Sequence, residues 1–186
     1  SFLPWTLLAT SYNKMAFVTF MEHRKLIKVK IKSKLYNQYF ILQYFRNILE
    51  MEWAIEVALE FDLPVAATMC MGPGGDETGV SAGECAVRMA RAGAHIVGTN
   101  CLFDPWSLLE VMKEMKDALK LFKLDPYLMA QPNGYRIPDA GSFGWCEIEE
   151  FPFAVEPRQI TRWEARKWAR AAYELGIRYI GGCCGF

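Results

Sequence analysis

The chain has 186 residues, 52% of them hydrophobic and 14% aromatic, which is enough for one globular domain with a sizeable core. Basic and acidic residues number 21 each, so the net charge of zero gives no sign of a strongly charged partner. Because six cysteines in so hydrophobic a chain do not make a disulfide framework, and no stretch is long enough to span a membrane, we expect a reduced, cytoplasmic protein without a nucleic-acid or membrane partner.

The first forty residues differ in character from the rest of the chain. Residues 1–50 hold eight Lys or Arg against two acids, and charged and apolar side chains alternate from Lys28 to Lys34. One interpretation is a basic patch for nucleic acid or anionic lipid. The other, which we favour, is a solvated strand or a basic segment that is not a native part of the fold, such as an artefact of the gene model.

Beyond this segment, helical and strand-like patterns alternate, which is typical of an α/β domain with a parallel sheet. A strand at Tyr39–Leu42 would add to the four that follow. The patterns predict helices over 50–61, 84–92, 104–123 and 162–175, and strands over 65–70, 96–101, 127–130 and 177–181. The last helix has a Ser/Thr-x-x-Glu capping box at Thr161 and Glu164. A complete (β/α)8 barrel needs about 250 residues, so we expect a half-barrel or a small open sheet.

Cysteines follow two of the predicted strands. Cys101 closes the strand over 96–101, and Cys183 and Cys184 come directly after the last strand. Because the carboxyl ends of parallel strands lie at one edge, three thiolates would meet there and leave one zinc position open, as in catalytic sites. The alternative that spacing leaves open is that these are buried apolar cysteines. We expect Cys70, Cys85 and Cys146 to fill space.

Several segments resemble the homocysteine S-methyltransferase family, and within it the betaine-using type. They are 64–70 (Pro-Val-Ala-Ala-Thr-Met-Cys), 83–88 (Gly-Glu-Cys-Ala-Val-Arg), 100–105 (Asn-Cys-Leu-Phe-Asp-Pro), 150–153 (Glu-Phe-Pro-Phe), 156–158 (Glu-Pro-Arg) and 178–186 (Arg-Tyr-Ile-Gly-Gly-Cys-Cys-Gly-Phe). The likeness extends from about residue 41 to residue 186. It implies a partial (β/α)8 TIM barrel, roughly its second half with strands 4–8.

The resemblance also implies a reaction. In this family Zn²⁺ is held by three cysteines, which fall here on Cys101, Cys183 and Cys184, and homocysteine sulfur takes the open position. The thiolate attacks a methyl group of betaine and gives methionine and dimethylglycine. No catalytic residue beyond the zinc site is implied.

The family has a Glu-Tyr pair at the end of its fourth strand, near the substrates. Gln43 and Tyr44 fall at that position, so Tyr44 matches and Gln43 departs. A neutral amide gives up the charge-assisted bond that a carboxylate makes with an amino group. Tyr44 could alternatively be an ordinary core aromatic.

Residues 1–40 match none of the family's first strands, which carry an acidic homocysteine-binding motif and the aromatics around betaine. The family's oligomerisation region has no counterpart either. Since the chain starts at Ser1 and stops at Phe186, we expect a fragment, with residues 41–186 as a partial domain and little turnover by the chain alone. Two alternatives stay open: another methyl donor, S-methylmethionine or a folate, and an inactive zinc-binding fragment.

Overall fold

The computed structural model describes the backbone of residues 5–11 and 14–20 and the whole of residues 39–186. The first two ranges form an antiparallel pair, β1 (Trp5–Ser11) and β2 (Lys14–Phe20). The predicted alternating strand at Lys28–Lys34 lies outside the described residues.

The remainder is a parallel five-stranded sheet whose strands alternate with helices, which confirms the predicted partial (β/α)8 barrel. The strands lie in the order of the chain, and each pairs with the next in parallel. They are β3 (Phe40–Phe45), β4 (Val65–Met69), β5 (Ile96–Asn100), β6 (Tyr127–Gln131) and β7 (Tyr179–Ile180). The helices are α1 (Ile48–Leu59), α2 (Ala82–Arg91), α3 (Pro105–Leu121) and α4 (Arg162–Leu175). Among these helices none combines the length and apolarity needed to cross a lipid bilayer.

The two faces of the sheet bury different side chains. The outer face packs under the helices and forms the main core, which includes Leu42, Met69 and Val97 together with Met112 of α3. The inner face carries a smaller cluster. Its buried members are Ile41, Ala66, Ile96 and Met129. Strands buried on both faces read as continuous apolar runs, and that is how β4 and β5 appear in the sequence.

The sheet is strongly curved. Tyr39, next to one edge strand, contacts Tyr179 of the other edge strand with ring centroids 6.4 Å apart. On the inner face, Gln43 of β3 donates a hydrogen bond of 2.8 Å to Gln131 of β6, three strands away. Side chains from non-adjacent strands can meet in this way only when the sheet closes toward a barrel.

Helix ends follow the capping signals, but α1 and α2 each begin two residues before the predicted start, α2 at Ala82 and not at Glu84. The capping box of Thr161 and Glu164 is present in both halves, and Asp104 caps α3 ahead of Pro105. Helix α1, however, begins at Ile48 and not at Glu50. Asn47 accepts from the amide of Leu49, and the carboxylate of Asp76 accepts from the amide of Ile48 at 3.0 Å.

Asp76 therefore ties α1 to the loop after β4. This carboxylate is 6% exposed and also accepts hydrogen bonds from Thr78 and from the amide of Val80. Burial by itself raises the pKa of Asp76, but the hydrogen bonds from Ile48, Thr78 and Val80 outweigh it and the net pKa is lowered. A group with a depressed folded-state pKa stabilises the fold above its unfolded pKa of about 3.9, and that stabilisation is lost as the pH falls through the folded value.

We expect Asp76→Asn to lower the free energy of unfolding at neutral pH by about 1–3 kcal/mol, because one acceptor oxygen becomes a donor facing backbone amides. The difference from wild type should shrink below about pH 4, where the wild-type carboxylate also becomes neutral. Urea unfolding at several pH values measures both effects. Asp117→Asn, on an exposed position of α3, is the matched control and should change little. A constant difference between Asp76→Asn and wild type down to pH 2 would contradict this account.

Candidate metal and thiol site

Three cysteine sulfurs converge at the carboxyl ends of β5 and β7. The sulfur atoms of Cys101 and Cys184 are 3.9 Å apart, those of Cys183 and Cys184 are 3.8 Å apart, and all three lie within 4.8 Å of one another. Within the described part of the chain this is the group of residues placed to hold a metal ion. The structure thus brings together the three cysteines that the sequence singled out.

The spacing of the sulfurs suits a tetrahedral ion. Sulfurs at the usual zinc–sulfur distance of about 2.3 Å lie about 3.8 Å apart along a tetrahedral edge. A disulfide would need about 2.05 Å, and all three cysteines are free. Cys101 is 3% exposed whereas Cys183 and Cys184 are half-buried, so the open side of the cluster lies toward the last two.

Cys101 reaches the cluster through an unusual turn. Both Cys101 and Leu102 have positive φ angles, 56° and 54°, which side-chain-bearing residues adopt rarely. The amide of Cys101 still donates to the carbonyl of Gln131 at 2.8 Å, so the turn starts while β5 is paired with β6. Such strain persists where the surrounding structure holds it, and it is concentrated at functional sites.

The Cys183–Cys184 turn is fixed by the loop after β6. The amide of Cys183 donates to the carbonyl of Pro132 at 2.8 Å, and the amide of Gly134 donates to the carbonyl of Cys184 at 2.7 Å. A Cβ on Gly134 would overlap the carbonyl of Gly185, so only glycine permits this approach. Asn133, between these contacts, is fully buried, and its Nδ2 has no hydrogen-bond partner among the described residues.

The three thiols share their protons unevenly. Hydrogen bonds from Cys101 and Cys183 lower the pKa of Cys184 to about 3. The hydrogen bonds of Cys101 with Cys183 and then with Cys184, followed by burial, raise the pKa of Cys101. For Cys183 the contact with Cys101 acts to lower the pKa, but the hydrogen bond to Cys184 and burial outweigh it and the pKa is raised. The metal-free cluster is therefore one thiolate that accepts from two thiols, because three adjacent negative charges repel one another.

The open side of the cysteine cluster, next to the half-buried Cys183 and Cys184, is called its mouth here. Tyr44 lies at this mouth and not in the core. Its side chain is 42% exposed, its φ is 69°, and its amide donates to the side-chain oxygen of Asn100, the residue before Cys101. Burial, followed by the charges of Cys70 and Cys101, raises the pKa of Tyr44 to about 12, so the phenol stays protonated. The alternative of an ordinary core aromatic is wrong.

Gln43 faces the inner side of the sheet and pairs with Gln131, as described above. Gln131 ends β6, and the strand-end rule that selected the cysteines would have selected it too if the strand had been predicted to reach residue 131. Asn100 directly precedes Cys101 in the sequence, but the sequence analysis did not predict a role for it. Its hydrogen bond with Tyr44 joins residues 56 positions apart, which no local pattern reports.

The remaining cysteines divide into two kinds. Cys70 and Cys85 are buried, as predicted, and burial raises the pKa of each thiol. Cys146 is exposed, so the prediction that it fills space is wrong. The reason is that the short 3₁₀ helix Trp145–Glu147 packs its partly buried Trp145 against the hydrophobic cluster that includes Cys101 and Leu102, which leaves the next residue, Cys146, facing outward.

The fold and the site define a class of protein: a parallel barrel segment that carries, at the carboxyl ends of its strands, three thiols placed to hold a metal ion with one coordination position open. The fold is shared with a crystal structure described as a phosphonomutase from Burkholderia cenocepacia, with a TM-score of 0.50 and 18% identity over 73% of this chain and 53% of that one.

Sequence comparison is more specific. The family model described as homocysteine S-methyltransferase matches residues 4–186. Betaine–homocysteine S-methyltransferase 1 of Xenopus laevis is 53% identical over 163 residues, which are 88% of this chain and 40% of that protein. S-methylmethionine–homocysteine S-methyltransferase of Rattus norvegicus is 53% identical over 148 residues, which are 80% of this chain and 41% of that protein. This chain belongs to the homocysteine S-methyltransferase family, and it spans about 40% of the length of these curated relatives.

The uneven sharing of protons leads to a test by alkylation. In metal-free protein, the rate of Cys184 alkylation by iodoacetamide should stay nearly constant from about pH 8 to about pH 5, because its thiolate is already present. Cys146, whose pKa is raised by burial, is the internal control and should slow about tenfold per pH unit. Quantitative peptide mass spectrometry resolves the two sites. If the alkylation rates of Cys184 and Cys146 fell in parallel with pH, Cys184 would not be a thiolate stabilised by Cys101 and Cys183.

Proposed function

We propose that these residues form the metal- and thiol-binding part of a methyltransferase that moves a methyl group from betaine to homocysteine. The observation that carries the proposal is the convergence of Cys101, Cys183 and Cys184 at tetrahedral spacing in a chain of this family. Because the chain spans about 40% of its relatives, the activity is inferred for the protein in which these residues work, with a cytoplasmic setting as predicted.

The three cysteines would hold Zn²⁺ as thiolates. Their positions fit this ion, since soft sulfur donors at three corners of a tetrahedron leave the fourth corner for a ligand. Bound zinc would supply Lewis acidity that keeps a thiol substrate ionised at neutral pH. The half-buried Cys183 and Cys184 leave that corner accessible from the mouth of the sheet, where Tyr44 lies.

In the reaction, the homocysteine thiolate attacks one methyl carbon of betaine in line with the bond to nitrogen. The carbon–sulfur bond forms as the carbon–nitrogen bond breaks, and the electron pair leaves with dimethylglycine. The residues of this chain contribute by orientation and water exclusion. Trp145 and Leu102 pack on the cysteine cluster, and the phenol of Tyr44 offers a proton donor at its edge.

A second candidate donor is S-methylmethionine. It is favoured by the relative from Rattus norvegicus, which is as similar to this chain as the betaine enzyme from Xenopus laevis. Both donors carry a positively charged methylated centre, and the same thiolate serves both. An enzyme that uses a folate donor and an inactive zinc-binding fragment stay as the further alternatives.

The proposal is tested by thiol binding to metal-loaded and metal-free protein. Calorimetry with the full chain should detect homocysteine binding only after loading with zinc. Methionine formation with betaine, S-methylmethionine or methyltetrahydrofolate, by the longer protein in which these residues work, then identifies the donor. Equal binding of homocysteine with and without zinc would contradict the proposal. Zinc uptake without homocysteine binding would favour the inactive zinc-binding fragment.

Cys183→Ala should remove stoichiometric zinc and, with it, homocysteine binding, because two thiolates and an alanine cannot hold the ion at three corners. Metal analysis after dialysis measures the loss. Cys85→Ala, at a buried cysteine outside the cluster, is the control and should retain zinc at some cost in stability. Full zinc occupancy in Cys183→Ala would show that the ligand set is wrong.

Gln43→Glu should strengthen homocysteine binding about tenfold, because a carboxylate on the inner face beside Tyr44 can pair with the substrate's amino group. The side-chain amide of Gln131, which accepts from Gln43 in the wild type, can turn so that its Nε2 donates to the new carboxylate. Gln43→Met, of similar length but without hydrogen-bonding groups, is the control and should not strengthen it. Calorimetry compares the dissociation constants. If Gln43→Glu bound homocysteine no better than wild type, Gln43 would not face the substrate.

A further inference from the structure

Arg46 is a cation beside the thiol site that the reaction as described does not use. It follows the end of β3, where the carbonyl of Phe45 accepts from the amide of Cys70 at 2.7 Å and the amide of Tyr44 donates to Asn100. The end of β3 is thereby fixed against the ends of β4 and β5. Arg46 is the next residue, so it lies at the rim of the same mouth.

The guanidinium of Arg46 is held in place by its neighbours, but most of its N–H donors have no acceptor among the described residues. It lies over the ring of Phe143, 4.3 Å from the centroid, and its Nε is 3.8 Å from a carboxylate oxygen of Glu77, which is longer than a hydrogen bond. No described residue accepts a hydrogen bond from this guanidinium, and the side chain is 22% exposed. A guanidinium carries five N–H donors, so a positioned and largely unused set of donors faces solvent here.

The charge of Arg46 acts on groups at the mouth and on the element that covers it. Burial is the largest influence on the pKa of Tyr44, Cys70 and Cys146 and raises all three, whereas the charge of Arg46 opposes it at each. These residues come from β3, the end of β4 and the 3₁₀ helix over the site. The positive charge is therefore directed into the mouth from its rim.

We infer that Arg46 binds the carboxylate of a substrate at the mouth of the thiol site and so selects carboxylate-bearing substrates. This inference rests on the proposed function and deepens it. Homocysteine and betaine both carry a carboxylate, which a planar guanidinium recognises through two parallel hydrogen bonds. The competing role for Arg46 is that of a structural partner for Glu77 and Phe143.

The test compares each ligand with its counterpart that lacks the carboxylate. Zinc-loaded full chain is titrated by calorimetry with homocysteine and with 3-aminopropane-1-thiol, and in a second arm with betaine and with tetramethylammonium. Arg46→Gln should weaken binding of the carboxylate-bearing member of one arm about tenfold or more and leave its counterpart unchanged. The arm that responds identifies the substrate that Arg46 holds.

Two further variants separate binding from a structural role. Arg46→Lys keeps the charge but not the planar fork, so it should recover only part of the affinity. Glu77→Gln removes the competing carboxylate, so it should leave carboxylate binding unchanged or stronger. The unchanged affinity for 3-aminopropane-1-thiol reports that Arg46→Gln is folded.

The outcomes divide clearly. Equal losses for both members of each arm, a loss in Glu77→Gln that matches Arg46→Gln, or no carboxylate preference in the wild-type protein would each overturn the role of Arg46. A carboxylate preference that depends on Arg46, in a chain that binds homocysteine equally with and without zinc, would leave this role standing and remove the proposed function. Zinc-dependent homocysteine binding without that preference would leave the proposed function standing and overturn the role of Arg46.

Discussion

The carboxyl end of β6 is the element on which the whole site depends, although it contributes no sulfur. The carbonyl of Gln131 accepts from the amide of Cys101, and the carbonyl of Pro132 accepts from the amide of Cys183. The amide of Gly134 completes the set by donating to the carbonyl of Cys184. Three short backbone bonds thus fix the cysteines on either side of one strand. Since sulfur positions must be held to within a fraction of an ångström to suit one ion, a main-chain template serves better than flexible side chains.

The curvature of the sheet has a comparable origin in small side chains. Ala66 lies in the inner cluster, and Gly98 of β5 is so close to β6 that a Cβ would overlap the carbonyl of Met129. Small inner residues let the strands close toward one another, and this closure allows the amides of Gln43 and Gln131 to meet across the interior. The inner face is therefore apolar where the strands begin and polar where they end, which is where a substrate enters a parallel barrel.

The electrostatics of the cluster favour the binding of a cation there. Without metal, one thiolate is stabilised by two thiol donors, and further ionisation would place like charges less than 5 Å apart. A divalent cation among the sulfurs removes that repulsion and lets all three ionise with release of protons. Burial, followed by Cys70 and Cys101, keeps the phenol of Tyr44 protonated, and the charge of Arg46 acts against burial at Tyr44 and Cys70.

The sequence by itself determined the order of strands and helices from β3 onward, the parallel sheet and the strand-end cysteines, but not the antiparallel pair of β1 and β2. These signals are local: a capping box spans four residues, as at Thr161 and Glu164, and a buried strand is a short apolar run. The resemblance of several motifs to one family then indicated a partial barrel and a zinc chemistry for the cysteines. The family match confirms the family, and the structure confirms the partial barrel.

Only the tertiary structure decided the features that rest on contacts between distant residues. Helix α1 starts at Ile48 because Asp76, 28 residues later, accepts from its amide. The pairing of Gln43 with Gln131, the exposure of Cys146 and the place of Arg46 beside Phe143 depend on how strands and loops pack. The physical reason is that a local pattern reports which face a residue prefers, whereas the partner on that face comes from chain that is remote in sequence and near only after folding.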